Sequence, residues 1–241
     1  MMDNRNPETS PQVYARIGGL AYLIIIVAGA MGEIFIRSKL VVADNPQATC
    51  QNISDSPILW RVGIFGDLLM HVMDLVLGIV YYTLFKRINK QLALLSLLFS
   101  MIQTAVLVAN KMNLVMPLFL LNNDSYLKAF DPQQLKALSY LSIKAHEYGF
   151  GIGLIFFGFA CLIDGYLIFK SGFLPKILGL MIFVAGICYL TNSFLLIFSP
   201  ATEGLLFPII LGLLAFIGEF SMCLWLLIKG VHVKKWEALV S

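Results

Sequence analysis

Two uncharged stretches constrain the fold more than any motif does: residues 91–110 and 177–202 contain no Asp, Glu, Lys or Arg. A helix needs about 20 predominantly apolar residues to cross the hydrocarbon of a bilayer, and each stretch meets that length. A transmembrane β-barrel would instead alternate apolar and polar residues over strands of about ten, a pattern these runs lack. Composition agrees: 59% of residues are hydrophobic and 13% charged, where a soluble domain carries about 25% charged residues. The expected fold class is all-α, a polytopic membrane helix bundle whose main partner is the lipid bilayer.

Residues 1–13 are polar, with two prolines, and read as a short disordered tail. Six transmembrane helices are expected at about 14–37, 58–85, 91–121, 134–169, 176–198 and 205–229. Together they form one domain over 14–231, followed by a short basic tail at 232–241. Asp44 to Pro57 reads as a polar loop, and Asn52-Ile53-Ser54 within it has the form of a glycosylation sequon. Asp131 is the expected N-cap of the fourth helix, with Pro132 at its first position. Ala28-Gly29-Ala30 fits a signal-peptidase site, but the helix continues through Glu33 and Arg37, so the segment is expected to stay in place.

Six spans put both termini on one side. The tails and the loops after the second and fourth helices carry ten of the 17 Lys and Arg residues, among them Lys86, Arg87, Lys90, Lys170 and Lys176. The positive-inside bias therefore places both termini in the cytoplasm. The net charge of +3 is small and argues for no nucleic-acid partner. Cys161, Cys188 and Cys223 read as buried small hydrophobes and Cys50 as a loop residue, with no CxxC spacing. Tyr82 to Lys86 echoes Tyr166 to Lys170 as a weak internal repeat.

Within the second helix, Gly63 to Tyr81 sets Asp67, His71 and Asp74 in an otherwise apolar run. At about 100° per residue the three lie within roughly 60° of one another. Two carboxylates and an imidazole on one face are costly in a bilayer and must point toward protein or water, which makes them a candidate functional site. His146 and Asp164 are five turns apart on one face of the fourth helix, and Gly149, Gly151 and Gly153 are expected to let that helix approach the second and bring His146 near Asp67 and His71. Glu147 is a further outer neighbour, and Glu219 a candidate partner for Asp74. Glu33 and Arg37, four apart, are expected as a structural ion pair. Gln103, Asn110, Asn113 and Asn192 read as hydrogen-bonding glue between helices, and Lys111 is noted inside the third helix.

The start YARIGGLAYLIIIV, the GDLLM of the second helix, the connection FDPQQLKAL, the long HEYGFGIGLIFFGFACLIDGYLIFKSGFLPKILG and the late Gly218-Glu219 resemble the bacterial multi-pass membrane proteins of domain-of-unknown-function family 4386. The resemblance covers about Tyr14 to Val231 and implies a bacterial inner-membrane protein of about six helices, with no activity to carry over. Gly66-Asp67, His146, Tyr148-Gly149 and Gly218-Glu219 match that family's pattern and nominate a site without naming its chemistry.

Three functional classes follow. The favoured one is a binding or translocating protein, in which Asp67, His71, Asp74, His146, Glu147, Asp164 and Glu219 hold a proton, ion or small molecule. No Gly/Pro-broken helix pair is evident, which favours binding over transport. A structural or partner-binding role would use the same polar groups as glue. An intramembrane metal-dependent hydrolase would need His71 and His146, with one or two of Asp67, Asp74 and Glu147, to hold a zinc ion, and neither HExxH nor GxSxG occurs. The sequence identifies no cofactor, and an enzymatic role is the less favoured one.

Overall fold

The structure, a computed structural model, describes residues 10–122 and 124–239, without the side chain of Glu203. Within them are six helices long and apolar enough to cross a membrane: α1 (Pro11–Leu40), α3 (Pro57–Phe85), α4 (Lys90–Leu120), α5 (Pro132–Ser171), α6 (Lys176–Phe198) and α7 (Pro200–Ile228). Two short helices, α2 (Pro46–Asp55) and α8 (Val233–Glu237), lie outside the spans. No strand occurs among the described residues. The chain is thus an all-α bundle of the multi-pass membrane kind.

Five of the eight helices open on a polar residue followed by proline: Ser10-Pro11, Asn45-Pro46, Ser56-Pro57, Asp131-Pro132 and Ser199-Pro200. Proline is suited to the first turn because its missing N–H has no helical partner there anyway. Asp131 closes a capping box with Gln134, as its spacing predicts. At the other end of α5, Gly172 takes φ +70°, the left-handed conformation that ends a helix.

Consecutive spans pack as antiparallel neighbours, and the second half of α7 returns to α1, closing a ring. The tightest seam is α5 on α6. A Cβ built on Gly165 would lie 2.6 Å from the backbone nitrogen of Phe183, and one on Gly179 would lie 2.6 Å from that of Phe169. With no hydrophobic drive between helices in lipid, such backbone approach supplies the packing that holds them together. The main core surrounds Phe85, Leu167, Ile168, Met222 and Leu226 at the end carrying both termini. A smaller one, with Ile53, Trp60 and Leu114, lies at the far end.

Several boundaries differ from the sequence reading. Positions 1–9 of the expected tail lie outside the described residues, but Ser10 caps α1 and Pro11 to Val13 are already helical. The expected loop at 44–57 contains α2, where Cys50 is buried and Asn52 spends its side chain on the carbonyl of Leu40. The basic tail contains α8, because Trp236 is buried, donates its Nε1–H to Leu84 at 3.1 Å and stacks under Arg87. The two echoing segments share a geometry, with Lys86 over Tyr82 and Lys170 over Tyr166.

Three spans are also interrupted, where the sequence suggested none. α1 contains a π-helical segment at Met31–Arg37 and α7 another at Ile210–Ala215, just after Pro208. α4 breaks at Lys111, and Pro117 follows. Such local departures cluster at functional sites.

Candidate functional site

The interruptions set the positions of the buried charges. The π segment of α1 turns Arg37 inward. Gly32 keeps room beside it, since a Cβ there would lie 2.5 Å from Asp67 Oδ1. The break in α4 is held by the Asn110 side chain, which donates to the carbonyl of His146 at 2.9 Å and accepts from Asn113. It leaves Lys111 pointing into the bundle, 3% exposed.

Asp67, fully buried, is the centre on which these groups converge. Arg37 donates to both of its oxygens at 2.7 and 3.2 Å, and Lys111 donates to Oδ2 at 2.9 Å. The second contact of Lys111 is His146 Nε2 at 3.2 Å. An ammonium only donates, so His146 accepts there and is a neutral imidazole with its proton on Nδ1. Arg37 also holds Glu33 at 2.7 Å, so the expected ion pair exists as one arm of a larger network.

Beside this network lies a cavity of about 450 Å³, lined by residues of all six spans. Its polar wall is Arg37, Asp67, Lys111 and His146, with Glu33 and Glu147 toward the edge. Met70, Phe150, Leu196 and Phe207 supply the apolar wall. Asn192, 3% exposed, also lines it, and its side-chain Oδ1 has no hydrogen-bond partner. The first half of α7 packs on α6 and its own π segment, and the helix meets α1 mainly through its second half. The gap between them is the cavity's lateral flank.

The other expected site residues gather nearer the termini. His71 Nδ1 pairs with Asp74 at 3.0 Å, leaving its buried Nε2 unpartnered. Asp164 accepts from Ser96 Oγ at 2.7 Å, beneath Asp74 across a second cavity of about 40 Å³. Glu219 lies beyond, facing Tyr22, Tyr189 and Asp74, with one carboxyl oxygen unpartnered.

The stripe on α3 is therefore divided between two centres: Asp67 serves the far one, and His71 and Asp74 lead to the other. Glu147 pairs with Lys144 at 3.0 Å on an exposed surface and joins the far centre only at its edge. Gly149 and Gly153 face Asn110 and Leu107 of α4, not α3 as expected, so His146 reaches Asp67 through Lys111. Among the described residues, no three His, Cys, Asp or Glu side chains form a metal-binding group. Of the three expected ligands, Asp67 is held by Arg37 and Lys111, His146 Nε2 faces Lys111 and His71 Nδ1 faces Asp74. Lys111 and the inward role of Arg37 are not among the site residues expected from the sequence. An intramembrane lysine on the span next to a buried Asp was the available signal.

A comparison with known proteins finds an uncharacterised protein of Archaeoglobus fulgidus, 29% identical over 167 residues, covering 69% of this chain and 83% of that protein. No solved structure matches. Residues 17–230 match the family described as domain of unknown function DUF4386, a span that contains both polar centres, and the chain belongs to that family.

Proposed function

We propose that this protein binds, and in transport would pass, a small zwitterionic molecule in the far-half cavity, working in the cytoplasmic membrane of a bacterium with both termini inside. The observation that carries the reading is the unpartnered Asn192 amide oxygen, buried in the wall of a 450 Å³ cavity. A buried amide without a partner costs about 1–3 kcal/mol, a cost that a ligand N–H or O–H removes. The cavity volume is in the range of small-molecule sites, which combine apolar walls with a few convergent polar groups. Arg37 and Lys111 offer a carboxylate its counter-charge, and Glu33 and Glu147 at the edge offer one to an ammonium. The basic end of the bundle supports the orientation, which sets the cavity in the outer half.

A structural role accounts for Asn110, whose amide is engaged at both ends by His146 and Asn113, but leaves Asn192 unexplained. The hydrolase reading finds no ligand set among the described residues. The test is a thermal-shift panel of amino acids, betaines, small carboxylates and amines on purified protein, read on wild type and Asn192→Leu. A zwitterion that raises the melting temperature of wild type but not of the variant supports the proposal. If no compound in the panel separates the two, and native mass spectrometry shows no retained small molecule, the reading fails.

A further inference from the structure

The second cavity carries a separate inference, independent of the first. It lies among α1, α3, α4, α5 and α6, and its wall is rich in oxygen: Asp74, Tyr81, Ser96, Ser100, Gln103 and Asp164. At about 40 Å³ it has room for roughly three water-sized occupants, too small for an organic ligand. No Lys or Arg lines it. Asp164 is 8% exposed, and among the described residues its hydrogen-bond donor is the neutral Ser96 hydroxyl. Tyr81 is also 8% exposed, and its hydroxyl has no hydrogen-bond partner. Asp74 has His71 at 3.0 Å, but a carboxylate such as Asp164, held in the membrane interior against a neutral hydroxyl, is strongly unfavourable as a charge, and pairing or neutralisation is how such groups persist.

We propose that this cavity binds one small monovalent cation, either a sodium ion coordinated by the oxygens of α3, α4 and α5 or a proton shared with ordered water. The unpartnered Tyr81 hydroxyl is then an oxygen ligand to the ion or a hydrogen-bond partner of its water. Both sources supply one positive charge to the same oxygens.

The groups facing Asp164 and Asp74 from the surrounding helices are few. α1 contributes Tyr22, and α3 contributes Tyr81 and His71, the latter paired to Asp74. α5 contributes Cys161 and α7 Glu219, and behind them Tyr189 of α6 lies against Glu219 and Cys223 of α7 against Tyr81. None is Lys or Arg, so a cation entering from solution is not displacing a fixed one.

The experiment is thermal unfolding of the purified full chain in detergent, with Asp164→Asn and Tyr81→Phe beside wild type. One arm titrates NaCl against N-methylglucamine chloride at pH 8 and constant ionic strength. The other lowers pH from 8 to 5.5 without sodium. A ligand present at a hundredfold excess over its Kd raises the melting temperature of a protein this size by roughly 5 to 10 °C. A rise with sodium that Asp164→Asn abolishes and Tyr81→Phe weakens identifies the ion. A rise on acidification that Asp164→Asn abolishes identifies the proton. The inference is overturned if wild type responds to neither, or if its response persists unchanged in both variants. Should Asp164→Asn not fold, Tyr81→Phe with Ser96→Ala provides the same comparison.

Discussion

Replacing Asp67 by asparagine removes the one charge on which Arg37 and Lys111 both depend. Asp67 is 0% exposed and Lys111 3%, so neither can turn to water when the pair is broken. Arg37 keeps Glu33 at 2.7 Å as a second partner. Lys111 keeps only the neutral nitrogen of His146 at 3.2 Å. The stranded charge is therefore the lysine. Breaking a buried pair by removing one partner costs about 3–5 kcal/mol, or roughly two to three and a half powers of ten in the folding equilibrium. The assay is unfolding in mixed micelles titrated with SDS, followed by far-UV circular dichroism. Lys111→Met added to Asp67→Asn leaves no uncompensated lysine, so the double variant recovers about 2–3 kcal/mol relative to the sum of the two single losses. An Asp67→Asn variant within about 1 kcal/mol of wild type would refute the reasoning, as would strict additivity of the two substitutions.

Three further outcomes follow from other parts of the bundle. Gly165→Ala and Gly179→Ala each force the α5 and α6 backbones apart and destabilise by about 1–3 kcal/mol. Gly212→Ala, whose Cβ would meet nothing within 4 Å, does not, and equal melting temperatures for all three would discount the seam. Trp236→Ala removes a buried indole and its hydrogen bond to Leu84, costing about 3–5 kcal/mol; a loss below about 1 kcal/mol would mean that α8 is not docked. Burial raises the Cys50 thiol above its ordinary range, so near pH 7.5 it holds less thiolate than a free cysteine. Peptide mapping after maleimide treatment should show slow labelling at Cys50 in folded protein and ordinary labelling after denaturation; equal rates would contradict its burial.

Part of the setting of Asp67 is legible in the sequence. That Asp67, His71 and Asp74 share a face follows from helical geometry alone, since 3.6 residues per turn fix their angles once the span is recognised. The span itself follows from the cost of charge in a bilayer and from the length needed to cross it. The Asp131-Pro132 start of α5 is equally local, because a cap and a proline act on the adjoining turn. Helix boundaries are less legible where tertiary burial of a single side chain decides them, as that of Trp236 does for α8 and that of Cys50 for α2.

The sequence by itself determined the class of the chain, its six apolar crossings and the polar residues they must hide, because these depend on periodicity and on transfer from water. Only tertiary structure decided that the stripe of α3 divides between two centres. That depends on which residue of a neighbouring span reaches which carboxylate, a contact between Lys111 and Asp67, 44 positions apart. Glycine spacing could not supply it, since Gly149 and Gly153 permit close approach without choosing the helix that approaches, and here that helix is α4. The two cavities likewise exist only between helices, and the larger one lies where the π segment of α1 and the break at Lys111 bring Arg37 and Lys111 to its wall.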